Sequence, residues 1–154
     1  MVFVHVASDT RSRNSCPIHS DRLEVEIKTG DEPLAGTDYS INLLVRSGNG
    51  LVCKAYDLDN WGNDRERNSM DRYTICCPKG FLDSNADIRM FALSYPSRPG
   101  KRGYVNIDDW LIEHVAIKVN GRNIFTYRFD SWTSPWKHWV FGVSKVNETS
   151  YVRF

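Results

Sequence analysis

Three segments of this 154-residue chain carry side chains whose oxygen atoms could bind a metal ion. Each segment combines carboxylate, amide or hydroxyl groups with turn-forming residues, and each precedes an apolar run that is typical of a strand. A hard cation such as calcium binds several oxygen atoms that converge from loops. We therefore predict a calcium site where the segments meet. Its candidate ligands are Gly36, Thr37 and Asp38 in the first segment, Asp59, Asn60, Asn63 and Asp64 in the second, and Asp108 and Asp109 in the third.

The same residues also fit a site without a metal. Asp and Asn are common in turns, where their side chains cap backbone N–H groups, so Asp38 fits a turn as well as a ligand position. The adjacent carboxylates of Asp108 and Asp109 repel each other unless a cation lies nearby. An arginine could be that cation instead of calcium; the candidates are Arg65, Arg67, Arg98 and Arg102. Both interpretations remain open from the sequence.

Aromatic and basic residues near these segments could contact a lipid surface or a protein partner. Trp61 lies among Asp and Asn residues, and an exposed indole suits a membrane–water interface. The alternative is that Trp61 folds back onto the edge of the domain, since large aromatic side chains are usually buried. The full set of predicted lipid-binding or partner-binding residues is Trp61, Arg98, Lys101, Arg102, Trp136 and Trp139.

Composition excludes several other classes of protein. The formal net charge is +1, so no global electrostatic field attracts nucleic acid. No apolar run is long enough to span a bilayer. The chain has neither a Gly-x-Ser-x-Gly nucleophile motif nor a glycine-rich phosphate loop, and its four histidines are scattered. We predict a non-catalytic binding protein.

Hydrophobic periodicity predicts an all-β fold, because short alternating segments are separated by turn residues and no segment has a helical period. Ser47-Gly48-Asn49-Gly50 and Asn120-Gly121 each predict a hairpin turn. Strands are predicted over 23–29, 39–46, 51–56, 72–77, 87–94, 110–119 and 123–129, with closing strands over 136–143 and 150–154. Within 87–94, alternation places Ile88, Met90 and Ala92 on one face, and Arg89 and Phe91 on the other. We expect an irregular N-terminal arm over 1–22 and one antiparallel β-sandwich domain over 23–154.

The four cysteines permit two disulfides. Cys76 and Cys77 are adjacent in a predicted strand, so their side chains should face opposite sides and pair with different partners. A disulfide from Cys16 to Cys76 or Cys77 would hold the arm against the domain. The alternative is four buried thiols in a cytoplasmic protein. Disulfides, together with the glycosylation acceptor Asn147-Glu148-Thr149, favour a secreted protein.

The order of these motifs resembles the PLAT domain, also called the lipoxygenase homology or LH2 domain. The resemblance covers residues 23–132, although Trp61 stands where the family pattern leads us to expect a small residue or proline. The matching residues are Ala35-Gly36-Thr37-Asp38; then Leu58, Asp59, Asn60, Gly62, Asn63, Asp64, Glu66, Arg67, Ser69, Asp71, Tyr73 and Ile75; and finally Asp109-Trp110, with a later strand from Phe125 to Trp132.

This resemblance implies an antiparallel β-sandwich of about eight strands that is not itself catalytic. It implies contact with lipid surfaces or partner proteins, with calcium bound by loops at one end in some members. We expect Glu66, Arg67 and Asp71 to anchor a loop, and Trp110 and Trp132 to pack in the core. The predicted function is a calcium-responsive module that binds lipid surfaces or proteins; the alternative is a metal-independent protein-interaction module, secreted or part of a larger assembly.

Overall fold

A computed structural model describes residues 16–37, 41–58, 65–82, 88–94, 109–133 and 139–142. These residues form eight strands and no helix, so this part of the chain contains no helix that could cross a membrane. The strands are β1 (Ser20–Thr29), β2 (Ile41–Ser47), β3 (Val52–Leu58), β4 (Met70–Pro78), β5 (Ile88–Ser94), β6 (Trp110–Val119), β7 (Arg122–Thr133) and β8 (Trp139–Gly142).

The strands form two antiparallel four-stranded sheets, which confirms the predicted β-sandwich. The first sheet has the order β4-β1-β6-β7 and the second has the order β3-β2-β5-β8. Alternate residues of β1 and β4, such as Leu23, Val25 and Ile75, point into one core that both sheets share. Burial of this shared apolar face is what holds the two sheets together.

The predicted hairpin turns form where the sequence indicates. Asn120 and Gly121 both have positive φ angles, 49° and 76°, and they join β6 to β7, whose last pair is Val119 with Arg122. A two-residue turn with two positive φ angles matches the right-handed twist of the flanking strands. The β2–β3 hairpin has a longer connection between Ser47 and Val52, in which Gly50 has a φ of 85° and its N–H donates to the Ser47 carbonyl at 3.0 Å.

Two predicted side-chain positions are wrong. Trp132 does not pack in the core: it is 40% exposed and pairs with Leu111, which lies outside the core that the sheets share, on the outer face of the first sheet. Phe91 does not share a face with Arg89, and Ile88 does not face away from Phe91: Phe91 is buried in the shared core with Ile88 and Leu93, whereas Arg89 is exposed. The β2–β5 register shifts between Arg46 and Ser47, where Ile88 pairs, and this irregularity breaks strict alternation.

Strand bounds also differ slightly from those predicted. β1 begins at Ser20, before the predicted start at residue 23, and β7 continues to Thr133. The predicted strand over 150–154 lies outside the described residues, as do residues 1–15 of the arm. The division into an arm and a domain therefore stays a prediction.

Two disulfides connect all four cysteines. Cys16 is bonded to Cys76, with a sequence separation of 60, and Cys53 is bonded to Cys77, with a separation of 24. Cys77 faces the core and Cys76 the opposite side of β4, as their adjacency predicts. The Cys53–Cys77 bond joins β3 to β4, so it links the two sheets at one edge of the sandwich.

Candidate functional site

Three backbone segments meet at one end of the sandwich, which we call the Asp109 end: residues 35–37, 65–67 and 109–111. The Thr37 N–H donates to the Arg65 carbonyl at 3.1 Å, and the Leu111 N–H donates to the Ala35 carbonyl at 3.0 Å. Segment 35–37 therefore lies between the other two and is bonded to both. The first and third of these segments contain the predicted ligands Gly36, Thr37 and Asp109, and the second directly follows the predicted ligands at 59–64, which lie outside the described residues.

Gly36 is required for this close approach. A Cβ atom at this position would lie 2.7 Å from the Arg65 carbonyl oxygen and 3.2 Å from the Glu66 Cα atom. Both neighbours are backbone, so neither can move aside as a flexible side chain can. Close packing against the backbone thus explains the glycine of the Ala-Gly-Thr-Asp motif without any metal. Its neighbour Thr37 is buried, and Asp38, which follows directly, lies outside the described residues.

Arg65 organises the loop that carries the second set of predicted ligands. Its Nη1 donates to the Leu58 carbonyl at 2.9 Å and to the Tyr73 hydroxyl at 3.0 Å, and its backbone N–H donates to Asp71 Oδ2 at 2.8 Å. Leu58 and Arg65 are the residues on either side of 59–64. The buried guanidinium therefore fixes the two ends of that loop against each other. The sequence suggested Arg65 only as a substitute for calcium, and its φ of 58° was not foreseen.

The loop-anchoring prediction for Arg67 and Asp71 is confirmed. Asp71 also accepts a hydrogen bond from the Ser69 hydroxyl at 2.6 Å, and Arg67 forms a salt bridge with Asp31 at 2.8 Å. The backbone carbonyl of Glu66 accepts the Ser69 N–H at 2.9 Å. Together these bonds tie the start of β4 to the loop before it and to the loop after β1.

The Asp109 side chain has an oxygen atom that a cation at this end could bind. Its Oδ1 atom is buried and has no hydrogen-bond partner among the described residues. A buried carboxylate oxygen without a partner is costly, and a bound cation would remove that cost. Directly after it, Trp110 is 1% exposed and donates from Nε1 to Thr29 Oγ1 at 3.0 Å. The core prediction for Trp110 is confirmed, and this packing fixes the backbone next to Asp109.

The structure places only part of the predicted site. Of the predicted ligands, Gly36, Thr37 and Asp109 are described and lie at the Asp109 end, and no cluster of three or more His, Cys, Asp or Glu side chains suited to a metal occurs within the described ranges. Trp139 lies on β8. The remaining predicted residues lie outside the described ones: Asp38, Asp59, Asn60, Asn63, Asp64, Asp108, Trp61, Arg98, Lys101, Arg102 and Trp136.

The first sheet also carries a buried carboxylate on its outer face. Glu26 is 5% exposed, accepts a hydrogen bond from Lys118, and accepts another from Arg72 Nε at 2.6 Å. The hydrogen bond from Lys118 is the main reason that the pKa of the Glu26 carboxyl is lowered; burial opposes this, and the Arg72 bond adds to it. Lys118 on β6 is 26% exposed, and Arg72 on β4 is 66% exposed. Both bond to Glu26 on β1, so these side chains join three neighbouring strands and stabilise the sheet.

The chain is similar in sequence to part of several bacterial phospholipases C. The chain is 31% identical over 114 residues to a phospholipase C of Clostridium haemolyticum, covering 73% of this chain and 26% of that protein. It is 29% identical over 105 residues to a phospholipase C of Paraclostridium bifermentans. The chain thus spans about a quarter of the length of the curated relatives that it matches. No protein-family model matches the chain.

Solved structures share the architecture. The alpha toxin of Clostridium absonum superimposes with a TM-score of 0.60 at 24% identity, over 79% of this chain and 31% of the toxin. A coral 8R-lipoxygenase, described as calcium-activated through a C2-like domain, superimposes with a TM-score of 0.56 at 28% identity, over 79% of this chain and 16% of the enzyme. This chain has the PLAT/C2-like β-sandwich fold. The eight strands and two antiparallel sheets agree with that assignment.

Proposed function

We propose that this protein is a non-catalytic module that binds lipid surfaces in response to calcium, through loops at the Asp109 end. The observation that carries the proposal is the buried Asp109 Oδ1, which has no hydrogen-bond partner among the described residues and lies where three backbone segments meet. A cation there would satisfy that oxygen and would neutralise nearby carboxylates, so the loops could approach a membrane at lower electrostatic cost.

The similarities support the lipid part of this proposal. The matched curated relatives are phospholipases C, which act at lipids, and one structural neighbour is described as calcium-activated through a C2-like domain. The match covers about a quarter of each of those relatives, a size that suits a binding domain better than a whole enzyme. The two disulfides support an extracellular setting, since such bonds persist in oxidising compartments.

The residues that would hold calcium are Asp109, through its carboxylate, and the backbone carbonyls and side chains of the segment around Gly36 and Thr37. Asp38, Asp59, Asn60, Asn63, Asp64 and Asp108 remain predicted ligands. Calcium would supply positive charge that joins the loops to one another and to lipid phosphate oxygens. The chain itself supplies a fixed frame, because Arg65 and Gly36 hold the loop ends in place without the ion.

The decisive experiment compares wild-type protein with Asp109→Asn in thermal melts at increasing calcium. Asn keeps the shape of the side chain but removes its charge. We expect calcium to raise the wild-type melting temperature. The gain in unfolding free energy should reach about 2.7 kcal/mol once the calcium concentration exceeds Kd a hundredfold. Without calcium, Asp109→Asn should melt at the same or a higher temperature, because it removes the charge from a side chain with one buried oxygen that has no partner among the described residues; its calcium response should be lost.

Glu24→Gln is the matched control, since it also removes one carboxylate charge but lies on β1 away from the Asp109 end. It should keep the full calcium response. If Asp109→Asn melts at a lower temperature without calcium and keeps the full calcium response, the Asp109 carboxylate stabilises the fold and does not bind the metal. That result would contradict the proposed site. Co-sedimentation with phosphatidylcholine vesicles then tests the lipid part: wild-type binding should require calcium and should be lost in Asp109→Asn.

A further inference from the structure

Leu34 is an exposed apolar side chain in an unfavourable backbone conformation. It is 89% exposed, and its φ angle of 63° lies in the left-handed region that glycine and asparagine adopt most readily. A leucine at this position is therefore unfavourable in two ways, because its side chain meets water and its backbone is strained. Neither the predicted metal ligands nor the predicted surface residues include it.

The backbone around Leu34 is held in place. The Ala35 N–H donates to the Glu32 carbonyl at 3.1 Å, which closes the turn, and the Ala35 carbonyl accepts the Leu111 N–H at 3.0 Å. Gly36 then packs directly against Arg65 and Glu66. Leu34 is thus the fixed tip of a turn next to the Asp109 end, and the side chain projects into solvent from a rigid base.

A second amphipathic residue lies at the same end. Trp132 is 40% exposed, and it pairs across the β6–β7 ladder with Leu111, the residue that is bonded to Ala35. An exposed leucine tip and a partly exposed indole at the same end of the sandwich combine an inserting side chain with an interfacial one. Among the large hydrophobic side chains of the described ranges, Ile18 is exposed to a similar degree, at 93%, and it precedes β1 at the opposite end.

The charges nearby define which lipid surface would fit. Asp31 and Glu32 precede Leu34 in the same turn, and Asp31 is paired with Arg67, whereas Glu32 has no cation partner among the described residues. An anionic bilayer would be repelled by this turn, while a zwitterionic one would not. Leu34 is the only large apolar side chain exposed in this turn, since Ala35 is buried and Asp31 and Glu32 are charged, so the turn lacks the broad apolar area that a protein interface requires.

We propose that Leu34 inserts into the interfacial region of a phosphatidylcholine bilayer, with Trp132 at the level of the headgroups. This inference rests on the proposed lipid-binding function and names the residue that supplies its apolar contact. Calcium would bring the loops to the surface, and Leu34 would add affinity by leaving water. The strained leucine is then explained by function, since asparagine would be the better residue for the fold alone.

The test measures co-sedimentation of the whole chain with pure phosphatidylcholine vesicles at saturating calcium, together with thermal melts without lipid. Leu34→Asn relieves the backbone strain and removes the apolar side chain; Leu34→Ala removes most of that side chain and keeps the strain. We expect both to bind vesicles roughly 10- to 100-fold more weakly than wild type, the range set by burial of one leucine. Leu34→Asn should melt at the same or a higher temperature than wild type. Ile18→Asn is the control and should bind like wild type.

The outcomes separate this inference from the function on which it rests. If wild type binds vesicles and both Leu34 variants bind equally well, the inference is overturned while the lipid-binding function stands. If wild type binds vesicles of an anionic phospholipid but not phosphatidylcholine vesicles, the inference is overturned and the lipid-binding function stands; if it binds neither, both are overturned. If Ile18→Asn weakens binding as much as the Leu34 variants do, the contact depends on general surface hydrophobicity and Leu34 has no special role. Selective loss in both Leu34 variants, with a stable Leu34→Asn, supports the inference.

Discussion

Removal of the Cys16–Cys76 disulfide should destabilise the protein without affecting the Asp109 end. We would replace both cysteines by serine, because a single replacement leaves a free thiol that can exchange with the Cys53–Cys77 bond; a free Cys76 would be its immediate neighbour. Cys16 lies four residues before β1, close to the Ser20–Pro78 pair. The Asp109 end is at the other end of β1, where Gly30 is bonded to Leu111.

The size of the effect follows from the loop that the bond closes. The sequence separation is 60, but the second disulfide already shortens the path. In the unfolded chain the shortest path runs along the backbone from Cys16 to Cys53, through the second disulfide to Cys77, and back one residue to Cys76. The Cys16–Cys76 bond therefore closes a loop of roughly 38 residues. In the chain-entropy treatment, closing that loop stabilises the folded state by about 3.9 kcal/mol at 25 °C. The Cys53–Cys77 bond, with a separation of 24, is worth about 3.5 kcal/mol on the same basis.

Urea unfolding followed by tryptophan fluorescence measures this difference. The Cys16→Ser, Cys76→Ser variant should lose about 3.9 kcal/mol of unfolding free energy, a large part of the stability of a typical domain, and should keep its calcium response while folded. A loss below about 1 kcal/mol would mean that the arm constrains little of the unfolded chain. Loss of the calcium response in folded protein would refute the claim that the two ends are independent.

Two further substitutions test the packing and the charges described above. Gly36→Ala should lower the unfolding free energy by about 2 kcal/mol, because its Cβ would lie 2.7 Å from the Arg65 carbonyl oxygen; it should also weaken the calcium-induced thermal shift, and wild-type behaviour in both measurements would contradict the close approach. Glu26→Gln should lower the unfolding free energy by about 2 kcal/mol at pH 7, because Lys118 and Arg72 lose their charged partner. The folded-state pKa of Glu26 is lowered from 4.5, so its stabilisation is complete above that value and is lost as the pH falls through the lower folded-state pKa. Urea titrations should therefore show a gap between wild type and Glu26→Gln that narrows in acid; a gap that stays constant with pH would contradict the ion pairs.

The fold could be predicted from local patterns because most strands have one buried face. Leu23, Val25 and Ile27 alternate with charged residues, and that alternation fixes β1 in the sequence as well as in the structure. Adjacent cysteines in a strand must diverge, so the separate pairing of Cys76 and Cys77 was also foreseeable. These predictions depend only on neighbours along the chain.

The errors arise where distant parts of the chain determine the outcome. Phe91 turned inward because a register shift against β2 breaks the alternation, and no local pattern in β5 reports that shift. Trp132 is exposed because it lies on the outer face of its sheet, whereas its neighbour Thr133 is buried, and which face of β7 meets the core depends on its pairing with β6. Oxygen-rich composition predicts that the three ligand groups converge, and among the described residues the backbone joins the segments that contain Gly36 and Asp109. The roles of Arg65 and Leu34 required the backbone angles and the contacts between loops.

The two disulfides also determine how the molecule would carry mechanical tension. Because Cys16 is bonded to Cys76, a pull applied before Cys16 and after Cys77 passes through the sulfur atoms and bypasses the segment between these two cysteines, whose sequence separation is 60. β1, β2, β3 and most of β4 therefore remain unloaded. The force falls instead on the later strands, in which β6 begins directly after Asp109. A protein that is held before Cys16 and pulled after Cys77 would thus unfold first in the strands that follow the cysteines, while the strands between Cys16 and Cys76 stay folded.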